Sequence, residues 1–340
     1  MEQAPVPAQG EEEQEPAGQP SLPERLGQRP CTAPHSGPLP ETISAVKGAA
    51  VFVLFGNGGC TGTRISEDLF LSAAHCADKI EGDKSRGRYL IEVKGKMLPV
   101  ELAEMGDYDE PAGKMQDWML FRSKTPSKLE GMPIAQFPTS DEMSKLLSNQ
   151  AQTLGDCGAA VWGIGFPSKG YRQHPRPPIP GSKTLFLSRG MLLSHDVFKL
   201  LNVLAEERGV VYDHHYSPPL PEPDVDLDAG WAKLAEARVC YEAYEKIGAK
   251  LLFHSTDFAG GQSGGGLFSE ETGHILGIYP RGYGPVSPNH AYPGPGWTYR
   301  IDNICAESKV LSDHDGCARL MGESDGQSLL RQVARANDGW

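Results

Sequence analysis

No apolar run in the 340-residue chain approaches the roughly 18 to 20 residues that a helix needs to cross a bilayer; the longest clear one is Ala49 to Phe55. Residues 1 to 25 have neither the basic start nor the apolar stretch of a secretory leader, so no signal peptide is expected there. Basic charge is scarce as well. Against 44 Asp and Glu stand only 32 Lys and Arg, with no basic cluster and a net charge of −12, which argues against a nucleic-acid partner. Metal-ligand spacing is also missing. Asp107-Tyr108-Asp109-Glu110 is rich in oxygen but lacks the regular positions of a calcium loop, and reads as a solvated acidic loop. Asp213-His214-His215 offers donors that point to alternate sides of an extended segment, and reads as a surface loop. No metal and no cofactor is expected.

Seven cysteines are many for a cytosolic chain, and they point to an oxidising compartment, either outside the cell or in the cell envelope or periplasm. Residues 1 to 40 hold nine prolines, the acidic run Glu11-Glu12-Glu13 and almost no large apolar side chains. Such a leader cannot offset its ordering entropy by burial and reads as disordered. From Ala49 the pattern turns to β-rich segments separated by turn residues: Ala50–Phe55, Phe70–Ser72, Tyr89–Val93 and Met97–Leu102, with Asn57-Gly58-Gly59 as a turn. Ala160–Phe166, Thr184–Ser188 and His274–Tyr279 continue the series. Between them Ser194 is placed to cap a helix with Val197, Leu200, Leu201 and Leu204 on one face, and a second helix fits Asp228 to Ile247. Residues 194 to 250 therefore read as a largely helical insertion. Cys305 and Cys317 are spaced to close a short loop near a C-terminal tail, residues 313 to 340.

The chain is organised around Gly260-Gly261-Gln262-Ser263-Gly264-Gly265-Gly266. Glycines let backbone N–H groups converge on an anion beside an exposed serine, which suits acyl transfer; alone, such a loop reads equally as a flexible turn or a phosphate cradle. Upstream lie Leu71-Ser72-Ala73-Ala74-His75-Cys76 and Asp117-Trp118-Met119-Leu120. In the order His, Asp, Ser these three motifs resemble the chymotrypsin/trypsin-like serine peptidases, over roughly residues 45 to 305.

The resemblance implies an all-β fold of two packed six-stranded antiparallel β-barrels within a peptidase domain spanning residues 41 to 312. It implies His75 as general base, Asp117 as its orienting acid, Ser263 as nucleophile, the N–H groups of Gly261 and Ser263 as the oxyanion hole, and a Cys60–Cys76 disulfide. Asp257, six residues before Ser263, matches the acid that receives Lys or Arg in trypsin, with Tyr279, Gly282 and Gly296 lining the same pocket. The stretch from Thr256 to Ser263 is also similar to bacterial glutamyl-endopeptidase-like members, but these carry a histidine where Tyr279 stands. Gln262 replaces the aspartate of zymogen-activated members, and Pro280 replaces a serine near the buried acid. The expected function is a serine endopeptidase acting on protein or peptide substrates, with cleavage after Arg or Lys. The alternative is a silent protease-fold binding module.

Overall fold

The computed structural model describes residues 38–55, 58–78, 89–109, 114–153, 156–166, 185–199, 212–213, 247–256, 262–280, 284–285 and 296–322. Alternation along the strands sorts their apolar side chains into two barrel interiors. In β1 (Ala50–Phe55), Val51 and Val53 point inward while Phe52 and Leu54 lie half-buried outside. This is the period of two that a pleated strand imposes. The first barrel closes in the order β1, β2 (Gly58–Arg64), β3 (Leu69–Ser72), β8 (Met119–Ser123), β5 (Lys96–Met105), β4 (Tyr89–Val93). A short pair, β6 (Tyr108–Asp109) with β7 (Lys114–Met115), lies between β5 and β8 in sequence. Phe70, Ile91, Leu98, Val100, Met119 and Phe121 fill the interior.

The second barrel closes in the order β10 (Phe186–Leu193), β12 (Leu251–His254), β16 (Gly296–Arg300), β14 (Ile275–Ile278), β13 (Gly266–Ser269), β9 (Ala160–Gly165). Tyr212–Asp213, β11, pairs with Gly284–Pro285, β15. Val161, Leu192, Leu252, Leu267, Leu276 and Tyr279 make its interior. Helix α3 (Ser140–Ser148) adds Leu146 to that cluster, and its start is fixed by a capping box between Thr139 and Glu142. The opposite faces of these strands meet in a larger cluster. Leu71 and Leu120 from the first barrel join Trp162, Ile164 and Phe268 from the second. The terminal helices contribute Ile43 from α1 (Glu41–Val46), Ile301 from α5 (Ile301–Glu307) and Leu320 from α6 (Asp315–Leu320).

Both barrels are thus six-stranded and antiparallel. Gly58 and Gly59, expected in a turn, begin β2 instead, and the Phe52 ring fills the space a side chain at Gly59 would need. Ser194 does cap a helical turn at residues 195–199, α4, where its Oγ accepts from Val197 N at 3.3 Å. Leu200, Leu201, Leu204, residues 228 to 246 and residues 1 to 37 lie outside the described residues, so the leader and most of the expected insertion do too. Cys305 and Cys317 form a disulfide that joins α5 to α6. Among the described residues no helix is long and apolar enough to cross a membrane.

Candidate active site

His75 follows the small, fully buried pair Ala73-Ala74 and opens the short helix α2 (His75–Asp78) directly after β3. Asp117 sits in the turn that enters β8, its own N–H donating to Met115 O at 2.9 Å. Both carboxylate oxygens serve the histidine. Oδ1 accepts from the His75 main-chain N–H at 2.8 Å, and Oδ2 lies 2.8 Å from Nδ1. Asp117 is wholly buried and His75 nearly so. A carboxylate clamped on both main chain and ring sets the tautomer, placing the proton on Nδ1 and leaving Nε2 as the basic atom. Tyr108 packs beside the imidazole with ring centroids 6.2 Å apart. From sequence its segment reads only as an acidic loop, and the tyrosine set among the acids is the one signal there.

Ser263 lies in the turn before β13, in the second barrel. Its carbonyl accepts from the main-chain N–H of Thr61 in β2 at 2.9 Å. Thr61 also accepts from Phe166 N through Oγ1 at 2.8 Å, and its carbonyl accepts from Ser72 Oγ at 2.7 Å. Immediately before it, Cys60 is disulfide-bonded to Cys76, the neighbour of His75. Two consecutive residues of β2 therefore tie both the histidine and the serine to one strand. Among the described residues no hydrogen bond joins His75 Nε2 to the Ser263 hydroxyl; Nε2 lies 3.8 Å from Cys76 Sγ. Cys60, His75 and Cys76 form a compact donor group, but the two sulfurs are bonded to each other and so are not metal ligands here.

Gly264 takes φ +80°, and a Cβ there would approach Ser72 Oγ and Thr61 O to 2.3 Å. Only glycine fits a left-handed residue pressed so closely against the other barrel. The Ser263 main-chain N–H donates to no acceptor among the described residues. Gln262 is fully buried against Gly165. Gly261, Asp257 and Gly282 lie outside the described residues. Tyr279 and Gly296 are buried, and the room at Gly296 is taken: a Cβ would come within 2.7 Å of His254 Cε1.

Sequence reasoning missed His254. It is fully buried, and desolvation holds its imidazole down at about 3, with a hydrogen bond to the Trp297 main chain opposing weakly. Near Asp117, the Tyr299 hydroxyl donates to Glu307 Oε1 at 2.9 Å, and Glu307 also accepts from Trp118 Nε1 at 2.9 Å and Lys250 Nζ at 2.6 Å. Burial, then Glu307 and more weakly Asp117, raise the Tyr299 hydroxyl well above its ordinary range, so it stays a donor.

Two closed six-stranded antiparallel barrels, with His75 and Asp117 on the first and Ser263 on the second, define the trypsin-like double-barrel fold class. No known family model matches the chain, and no curated relative matches it. Many solved structures are similar to it, among them three at low identity. They are an M. tuberculosis protease in its active form (15% identity, 79% of this chain and 82% of that one, TM-score 0.40), a serine endoprotease from Yersinia pestis (11%, 81% and 66%, 0.42), and an inactivated protease paralogue of the scabies mite (13%, 78% and 95%, 0.44). At such distances they say nothing about catalysis, and the fold class stands on the strand pairing itself.

Proposed function

We propose that the protein is a serine endopeptidase that cleaves peptide bonds through an acyl-enzyme on Ser263. The observation that carries this is the wholly buried Asp117 clamping His75 through both oxygens, with Ser263 tied through Thr61 to the strand that also anchors Cys76. In the reaction the Ser263 hydroxyl attacks the peptide carbonyl while His75 Nε2 takes its proton. Asp117 stabilises the resulting imidazolium, and the N–H groups of Gly261 and Ser263 receive the oxyanion. The proton then passes to the leaving amine, and water hydrolyses the ester by the same steps in reverse order. The disulfides support a location in an oxidising compartment.

Labelling of the purified, oxidised protein with a fluorophosphonate probe tests the reading. Stoichiometric uptake that disappears in Ser263→Ala is expected; no uptake by folded protein would favour a silent binding module. The specificity proposed is Arg or Lys, received by Asp257. Asp257→Ser is expected to lower kcat/KM for basic substrates selectively, and a cleavage profile unchanged by that substitution would remove the acid from the pocket.

A further inference from the structure

The proposed reaction assigns no task to Glu307, the last residue of α5, yet donors from both barrels meet on its carboxylate. Trp118 Nε1 donates to Oε2 at 2.9 Å, Lys250 Nζ to Oε1 at 2.6 Å, and the Tyr299 hydroxyl lies 2.9 Å from Oε1 and 3.0 Å from Oε2. Lys250 and Tyr299 belong to the second barrel, just before β12 and within β16, and α5 itself continues from β16. Trp118, just before β8, belongs to the first. Its bond to Glu307 therefore crosses from one barrel to the other. The indole is buried, and it stands in a slot that Gly106 leaves open, where a Cβ would come within 2.8 Å of Nε1. An indole N–H can donate but never accept, so this side chain has one polar use and Glu307 fills it.

Trp118 directly follows Asp117, and the chain around the acid has no slack. The main-chain N–H of Asp117 donates to Met115 O and that of Trp118 to Gln116 O, both at 2.9 Å, so two three-residue turns overlap there. The Trp118 carbonyl is held as well, accepting from Gly106 N at 2.8 Å. A shift of the indole is thus passed to the carboxylate that clamps the His75 main chain and ring. We infer that Glu307 is a positioning residue for the Asp117–His75 pair, setting the acid of the first barrel by reference to the second barrel, which carries Ser263; its kinetic consequence rests on the protease reading. It acts through Trp118 and takes no part in the chemistry. A carboxylate suits the role because it accepts from all of these donors at once, while Lys250 balances its charge.

The test reads the His75–Asp117 hydrogen bond itself. A proton held between an imidazole nitrogen and a carboxylate is strongly deshielded, so Nδ1–H should give a far-downfield NMR resonance in the parent, observable without turnover. A parent that lacks it overturns the proposal, since the pair would not be formed in solution. In Glu307→Met, which keeps the length of the side chain and removes its oxygens, the resonance is expected to shift and broaden, and kcat to fall by about tenfold or more with KM within about twofold of the parent. Glu307→Gln restores one acceptor oxygen and should recover part of both. Lys250→Met leaves the Trp118 bond in place and should match the parent. A Glu307→Met protein with a lowered urea midpoint but the parent's resonance and kcat overturns the proposal, because a merely structural contact gives that pattern. So does a Lys250→Met protein as impaired as Glu307→Met. Should Glu307→Met fail to fold, Trp118→Phe removes the donor that crosses between the barrels, and an unmoved resonance there overturns the proposal equally. A parent that shows the resonance but takes up no fluorophosphonate sinks the protease reading, and the resonance in the variants still decides this one. A labelled parent whose resonance is unmoved in Glu307→Met sinks this one alone.

Discussion

At Gly264 two demands coincide, a positive φ and contact with both Thr61 O and Ser72 Oγ at distances no Cβ tolerates. Gly264→Ala is therefore expected to cost roughly 2 kcal/mol or more, from left-handed strain plus displacement of the serine turn. A drop in the denaturation midpoint together with lost fluorophosphonate uptake would register it; an unchanged midpoint would show that the turn re-forms elsewhere. His254 yields a prediction of a different kind. Its imidazole titrates at about 3 in the fold against an ordinary 6.5, so below 6.5 the unfolded chain takes up a proton that the native state refuses. Stability from this group is complete above 6.5 and is lost as pH falls toward 3, at up to about 1.4 kcal/mol per pH unit. Urea midpoints at successive pH values should fall less steeply in His254→Phe than in the parent. Equal slopes would mean that the ring is hydrated. The triad candidates were legible as local motifs because each sits within a short recognisable run. His254, Thr256 and Thr298 were not, since nothing in their immediate sequence says that strands so far apart will place their polar tips beside Tyr279, which only the resemblance picks out.

The strands differ in how plainly they announced themselves. β1 and β4 carry alternating apolar residues, and their limits follow from the sequence, whereas β2 hides behind Gly58 and Gly59, the second of which the Phe52 ring keeps free of a side chain. Helix α3 was overlooked although Thr139 and Glu142 spell its capping box, since only Met143 and Leu146 of its turns are buried and the apolar stripe is thin. Strand β2 is also the element on which the site depends most. Replacing Cys60 and Cys76 by serine should destabilise the fold by about 3 kcal/mol, the loop-closure value for a 16-residue separation, and should lower activity further by loosening α2. Thermal melts of the double variant with and without reductant give the answer. Insensitivity of the parent's melting temperature to complete reduction would show that the bridge contributes nothing.

At the scale of the molecule, the double barrel was legible through the resemblance rather than through periodicity. Alternation identifies strands, but closure of each sheet depends on pairings such as β1 with β4 and β10 with β12, which no local pattern encodes. The barrels are held by more than the shared apolar cluster. Glu104 of β5 reaches across to accept from Ser308 Oγ and from the main-chain N–H groups of Lys309 and Val310 at 3.0 Å, fastening the segment after α5 to the first barrel; these bonds draw the carboxyl below its usual range despite the opposing cost of burial. Thr61 supplies the other fastening. Its N–H leaves the ladder of its own sheet to bond the Ser263 carbonyl, and its side chain is fully enclosed. That amide is consequently a built-in clock for the seam: its deuterium can enter only when the bond to the Ser263 turn across the seam opens, whereas the amides between β1 and β2 need the first barrel itself to open. A Thr61 exchange rate well above that of the β1–β2 ladder, slowing when an acylating probe occupies the serine, would measure how often His75 and Ser263 stand apart in the resting protein.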